Sequence, residues 1–239
     1  MIGGHVVVTG GVGGIGLAVA ERLLDEGASV TVLDADAVGI ADCVDRFAGE
    51  DILFLECDVS DEDQVADIFA QAATEMGPVT GLVNCTSLKE KASIERTSVE
   101  LFRQIVEMNL TGTFITCKAA LEEMGEQLAI VNLAALAGLK PEPGHAAFGA
   151  AEAGINLLSR AMAEEFAGSG VRVNAVAADT VAPEPEESRG GELHRGRAAD
   201  TSVSLADIAS AVLFLLSDQA SGINGHILVV DGSRGGALP

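Results

Sequence analysis

Short apolar runs alternate with helix-length amphipathic segments along the whole 239-residue chain, and this alternation restricts the fold more than any other feature. Short apolar runs read as strands buried on both faces, whereas longer segments with an apolar period near 3.6 residues read as helices. The strand runs are His5 to Thr9, Ser29 to Leu33, Ile52 to Glu56, Gly81 to Asn84, Leu128 to Asn132, Val171 to Ala175 and Ile227 to Val230. Helical periodicity covers Ile15 to Asp25, Glu62 to Glu75, Val99 to Met124, Ala146 to Phe166 and Leu205 to Leu216. Strands alternating with helices build βαβ units, so the expected fold is α/β: a Rossmann-type doubly wound, seven-stranded parallel sheet flanked by helices on both faces.

Local signals refine this picture. Ser204 with Asp207, and Thr97 with Glu100, have the spacing at which a hydroxyl and a carboxylate satisfy the free amides of a helix start. The stretch Ala178 to Thr201 has no period and carries Pro183, Pro185, Gly190, Gly191 and Gly196 among charged residues. It reads as a flexible surface loop within one domain spanning 1–239.

Composition limits the function. No apolar run is long enough to cross a bilayer, and Met1 leads almost directly into the first strand run without a basic leader or cleavage motif, so a soluble, cytoplasmic protein is expected. Cys43, Cys57, Cys85 and Cys117 are widely spaced and form no CxxC or Cys/His cluster, which points to free thiols and to no metal site. The formal net charge of −22, from 36 acidic against 14 basic residues, would repel phosphate backbones and acidic membrane surfaces. Neither nucleic acid nor membrane is therefore an expected partner.

The first strand run ends in Thr9-Gly10-Gly11-Val12-Gly13-Gly14-Ile15-Gly16 and opens straight into a helix. A glycine-rich turn here lets backbone amides and a helix N-terminus approach a pyrophosphate. Asp34, at the end of the second strand run, is placed to accept hydrogen bonds from adenosine ribose hydroxyls. Asp34 and Asp36 would repel a 2′-phosphate and no arginine stands beside them, which favours NAD over NADP. The expected cofactor residues are Gly10, Val12, Gly14, Ile15, Gly16 and Asp34, with Asp58 and Val59 at the adenine edge. Asp58 fits a helix N-cap equally well, and such a glycine turn also exists for purely steric reasons.

Further motifs follow in order. Thr9, Gly10, Gly14 and Gly16 fit TGxxxGxG; Asn109 opens Asn109-Leu110-Thr111-Gly112-Thr113-Phe114; then come Ile130-Val131-Asn132, Val171-Arg172-Val173-Asn174-Ala175-Val176 and Val230-Asp231-Gly232. Together they resemble the short-chain dehydrogenase/reductase family over essentially the whole chain. The resemblance implies a cofactor contact at Asn84 and a catalytic serine, tyrosine and lysine in the order S…YxxxK, supported by a helix asparagine. Here Ala135 stands at the serine position, Phe148 at the tyrosine and Glu152 at the lysine, while Asn109 remains. Phenylalanine has no proton to exchange, and losing a general acid or base costs about 10²- to 10⁴-fold in rate. Standard dehydrogenase or reductase activity is therefore expected to be absent or very weak. Glu152 also inverts the local charge, which favours NAD⁺ over NADH.

The turn after the fourth strand run reads Asn84-Cys85-Thr86-Ser87 where the family has NNAG, and Ala178-Asp179 replaces its Pro-Gly, placing Asp179 near the nicotinamide carboxamide. Titratable candidates for another chemistry are Glu152, Asp179 and His145, alongside Asn109. Two carboxylates in one dry pocket can act as acid and base, supporting isomerisation, dehydration or cyclisation. Each candidate has a plainer reading: drift at a site without catalysis for the altered residues, a partly exposed loop histidine for His145, and a backbone-bridging amide for Asn109. Cys85, with no adjacent base, reads as inert packing. The resemblance also implies a homodimer or homotetramer, with Val99 to Met124 and Ala146 to Phe166 as a four-helix interface. Three functional readings stay open. The first is an NAD-binding atypical enzyme acting on an unidentified small molecule, for example in specialised metabolism. The second is a catalytically silent pseudoenzyme that scaffolds or regulates an active paralogue as a hetero-oligomer. The third is a slow NAD-linked oxidoreductase.

Overall fold

The structure is a computed structural model and describes residues 2–178 and 203–232. Strands β1 (His5–Thr9), β2 (Ser29–Asp34), β3 (Ile52–Glu56), β4 (Val79–Asn84), β5 (Met124–Ala135), β6 (Val171–Ala178) and β7 (Ile227–Val230) form one seven-stranded sheet in the order β3-β2-β1-β4-β5-β6-β7. Every pairing is parallel. Helices α1 (Gly14–Asp25), α2 (Ala37–Arg46), α3 (Glu62–Met76), α4 (Val99–Val106), α5 (Gly112–Glu122), α6 (Ala146–Glu165) and α7 (Leu205–Leu216) connect or cover the strands. The doubly wound sheet expected from the alternation is the observed fold.

Strand alternation divides the core. Val6, Val8, Val30 and Val32 pack with Val19 and Leu23 of α1 and Ile208, Val212 and Leu215 of α7 on one face. Val7, Leu82, Ile130 and Val173 pack on the other with Phe69 of α3, Ile115 of α5 and Met162 of α6. Successive side chains point to opposite faces, so a run such as Val6-Val7-Val8 is apolar throughout because both faces are covered. The strand order reverses between β1 and β4, and their carboxyl ends flank the crevice at which open α/β sheets take ligands.

Several local expectations need correction. The helix expected over Val99 to Met124 is broken: α4 ends at Val106, Glu107–Thr111 is a π-helical turn, α5 resumes at Gly112, and Met124 already opens β5. An inserted residue of π-helix rotates the following side chains without removing the apolar period, so periodicity alone does not reveal it. Helix α2 is an addition to the expected elements; it buries only Cys43 and starts on an Asp36 carboxylate that accepts from Val38 N. The Ser204–Asp207 capping box is present at α7. At α4 the cap is Ser98, whose hydroxyl accepts from Leu101 N at 3.0 Å, while Thr97 Oγ1 turns back to donate to Ser93 O. The N-cap of α3 is Asp61 rather than Asp58. The segment expected to form a flexible loop, apart from Ala178, lies outside the described residues, and Asp179 with it.

Candidate functional site

The glycine turn lies at the carboxyl end of β1. Gly10 adopts φ +64°, which glycine alone takes readily, and a Cβ there would come within 2.9 Å of the Thr86 backbone. A Cβ on Gly16 would overlap Gly10 O, so a side chain would force the turn away from α1. Gly13 and Gly14, by contrast, have nothing within 4 Å of a would-be Cβ, and Gly14 has φ +53°. Open space therefore lies in front of the first turn of α1, whose amides have no intrahelical acceptors. That is the shape and polarity a pyrophosphate requires.

Asp34 ends β2 beside this turn. Its Oδ2 accepts from Val12 N at 3.2 Å and its Oδ1 from Asp36 N at 3.1 Å, so the carboxylate is oriented by two backbone donors. Ile15 is half-buried against the core. Asp58 is exposed and its Oδ1 accepts from Ser60 N and Oγ at 2.9 and 2.6 Å, while Val59 is buried and packs against Gly112. Thr9 Oγ1 accepts from Cys85 N and Thr86 N at 3.1 and 3.3 Å and so fastens the β4 turn to the β1 turn. The Asn84 side chain is committed to the protein: Nδ2 donates to Asn132 Oδ1 at 2.9 Å and Oδ1 accepts from Thr116 Oγ1 at 2.8 Å.

A second group gathers Ala135, Phe148, Glu152, Asn109 and His145. Ala135 ends β5, Asn109 lies in the π-helical turn, and Phe148 and Glu152 are one turn apart on α6. Glu152 is 3% exposed. Its Oε2 accepts from Ala135 N at 2.8 Å and its Oε1 from Asn109 Nδ2 at 3.4 Å. Burial pushes this carboxyl up to about 7; the Ala135 amide, the charge of Lys89 and the Asn109 amide oppose the rise. Close packing fixes the arrangement, since a Cβ on Gly138 would lie 2.6 Å from the Glu152 backbone carbon. The Phe148 ring is buried in a small apolar cluster with Ile105, Ala147 and Ala151. His145 is buried rather than partly exposed, because its ring packs against that of Phe148 at 6.2 Å between centroids with the two planes 65° apart.

Two residues of this site carried no signal in the sequence, Leu88 and Lys89 on the β4–α4 loop. Leu88 N donates to Asn109 Oδ1 at 2.6 Å and Asn109 Nδ2 donates back to Leu88 O at 3.1 Å. Asn109 thus bridges backbone groups and touches Glu152 at once. The Lys89 ammonium lies 5.4 Å from the Phe148 ring centroid. The loop has neither period nor motif, so only the fold brings it here. All four cysteines are free, and burial raises the thiols of Cys57 and Cys117 to about 12 and that of Cys85 further still. Such thiols stay protonated near neutrality and are poor nucleophiles.

No helix among the described residues is long and apolar enough to cross a membrane. A family model described as enoyl-(acyl carrier protein) reductase matches residues 10–233. The chain is 39% identical to cis-4-hydroxycyclohexanecarboxylate dehydrogenase of Sinomonas cyclohexanicum, over 95% of this chain and 94% of that one. It is 36% identical to a protein of Xanthobacter autotrophicus named inactive 2-(S)-hydroxypropyl-CoM dehydrogenase 2, over 89% of this chain and 97% of the relative. A crystal structure of a variant actinorhodin polyketide ketoreductase with NADPH superposes with a TM-score of 0.87 at 28% identity, covering 98% of both chains. With the glycine turn at β1, the parallel sheet order and matches spanning nearly its full length, the chain belongs to the short-chain dehydrogenase/reductase family.

Proposed function

We propose that this protein binds NAD at the Gly10–Gly16 turn and acts as a non-redox proton-transfer enzyme on a small organic molecule, with the Glu152 carboxyl as acid and base. The observation that carries the reading is the Glu152 carboxyl itself. It is buried, set between Ala135 N and Asn109 Nδ2, and held near 7, where it exchanges a proton readily at neutral pH. Its neighbours do not supply the family's usual relay. Phe148 and Ala135 carry no exchangeable side-chain proton, and the chain contains no tyrosine at all. Bound NAD supplies a hydride acceptor; what is missing from this chain is the phenol that would manage the accompanying proton.

For the cofactor, Asp34 faces the turn with its carboxylate already oriented, which favours ribose hydroxyls over a 2′-phosphate. Assembly into a homodimer fits the apolar groove of about 450 Å³ between Leu110 and Phe114 on one side and Gly154, Leu157 and Leu158 of α6 on the other. Leu157 is 68% exposed there.

A second reading is a catalytically silent subunit. Two observations favour it: both Glu152 oxygens already accept hydrogen bonds from the protein, and one relative of comparable identity is named as inactive. The deciding experiment begins with calorimetric titration of NAD⁺, NADH and NADP⁺. The NAD⁺-loaded protein is then incubated in D₂O with a panel of small ketones and hydroxy acids, and deuterium uptake is read by mass spectrometry. The proposal expects NAD⁺ to bind in preference to NADP⁺ and deuterium to enter one substrate class, with Glu152→Gln abolishing the exchange. Rapid NADH production from alcohols, unaffected by Glu152→Gln, would refute it; NAD⁺ binding without exchange favours the silent subunit.

A further inference from the structure

Two segments frame Glu152 and Phe148: the β4–α4 loop, 85–98, and the connector 139–145 before α6. They are tied together. Ala92 N donates to Gly144 O at 2.9 Å, Ala92 and His145 form an isolated parallel bridge, and Gly144, at φ +86°, packs on the Lys91 stem. Three of the chain's four lysines, Lys89, Lys91 and Lys140, lie on these two segments; the fourth, Lys118, pairs elsewhere with Glu62. With Arg96 they set four cations against the carboxylates Glu90, Glu95 and Glu142, in a chain whose net charge is −22. The two segments beside Glu152 and Phe148 thus carry one net positive charge in a strongly acidic chain, and such contrasts draw anions.

His145 adds an independent observation. It is 7% exposed, and its Nδ1 lies 3.4 Å from Glu142 Oε1 without hydrogen-bond geometry and with no other partner among the described residues. Buried polar nitrogens are almost always bonded, so this one calls for a group not supplied by the described residues. Lys89 is exposed, with its ammonium 5.4 Å from the Phe148 ring centroid, and its charge is felt at Glu152.

We propose that the substrate of this site is a small organic monoanion, whose acidic group is received by Lys89 at the mouth beside His145 while its neutral skeleton extends toward Glu152. This rests on the reading of the Glu152 pocket as a substrate site, and it adds the class of molecule that enters. Lys91 and Lys140 draw the anion in without fixing it, and an ammonium that binds as a point charge accepts either a carboxylate or a sulfonate.

The test is a ligand-observed NMR titration of the full chain, with and without NAD⁺, using benzoate, benzenesulfonate and the neutral isostere benzamide. One of the two acids is expected to bind at least about tenfold more tightly than benzamide, the scale of one charge-assisted hydrogen bond. Which acid wins identifies the acidic group. Lys89→Gln, an exposed substitution whose fold is checked by circular dichroism, should remove the preference, whereas Lys118→Gln should leave it intact. Equal binding of acids and amide, or an undiminished preference in Lys89→Gln, overturns the proposal. NAD⁺ binding measured on the same samples separates the two readings. Intact NAD⁺ binding without an acid preference refutes the anion site alone, and an acid preference without NAD⁺ binding refutes the cofactor reading alone.

Discussion

Replacing Glu152 with glutamine should make the protein more stable in mildly alkaline solution and should flatten the pH dependence of its stability. The carboxyl titrates at about 7 in the folded protein against an ordinary 4.5. A raised acid favours the folded state while protonated, so its contribution is fully present below 4.5 and is lost as pH rises through about 7. The linkage relation agrees: between these values the folded state holds one more proton than the unfolded state, and the unfolding free energy therefore falls with pH. At about 1.4 kcal/mol per pH unit the full loss is about 3 kcal/mol, and Glu152 is buried enough that solvent screening removes little of it. Glutamine keeps the acceptor for Ala135 N, but its amide turned toward Asn109 Nδ2 meets another donor. That mismatch costs about 1 kcal/mol, which leaves a net gain of about 2 kcal/mol above pH 8. Urea unfolding should be followed by far-ultraviolet circular dichroism, because the chain has neither tryptophan nor tyrosine. The difference between variant and wild type, taken from pH 5 to 9 at fixed protein concentration, isolates the one group from others such as His5, whose pKa burial lowers. Parallel stability curves for the two proteins would show that the carboxyl is not held high, and the acid–base role would lose its support.

Gly16→Ala places a methyl group on Gly10 O and should cost about 3 kcal/mol of stability together with NAD⁺ binding; a wild-type melting temperature would contradict the packing described at the turn. Asp34→Ala removes the acceptor of Val12 N and should weaken NAD⁺ by about tenfold or more in calorimetry while narrowing its advantage over NADP⁺; an unchanged preference would move cofactor selection elsewhere. The triple change Ala135→Ser, Phe148→Tyr and Glu152→Lys should raise NADH-dependent ketone reduction by about 10²-fold or more, read as absorbance loss at the nicotinamide band. A wild-type protein that already reduces ketones as fast as the triple variant contradicts the proposed loss of the relay.

What the sequence reveals depends on how locally each feature is encoded. Valine runs such as Val6-Val7-Val8 are strands because both faces of a parallel sheet exclude water, and that demand is written in consecutive residues. The glycine turn is equally local: Gly10 and Gly16 meet six residues apart, and the space before Gly13 and Gly14 follows from their missing side chains. Helix α2 escapes periodicity because it buries only Cys43. The π-helical turn escapes it because one extra residue leaves the apolar rhythm of the flanking segments in place. Farthest from view are the partners of Glu152: Ala135 lies 17 residues away in the chain and Asn109 43, on different elements. A carboxylate in a helix pattern reads as solvated surface until the fold buries it.

Asn109 shows why a catalytic and a structural reading of one residue need not compete. Its carboxamide accepts from Leu88 N and donates to Leu88 O, which satisfies a loop backbone pair, and its donor nitrogen also reaches Glu152. The π-helical turn that contains it gives up regular helix geometry, a deformation that persists only when other contacts hold it. Here those contacts run from the loop through Asn109 to the carboxyl on α6. Leu88 immediately precedes Lys89, so Asn109 also places the backbone from which the Lys89 ammonium reaches toward Phe148. The same amide therefore sets the electrostatic surroundings of Glu152 from two directions, directly by hydrogen bond and indirectly through Lys89. Asn109 therefore has a part in the geometry around Glu152 that does not depend on a neighbouring phenol.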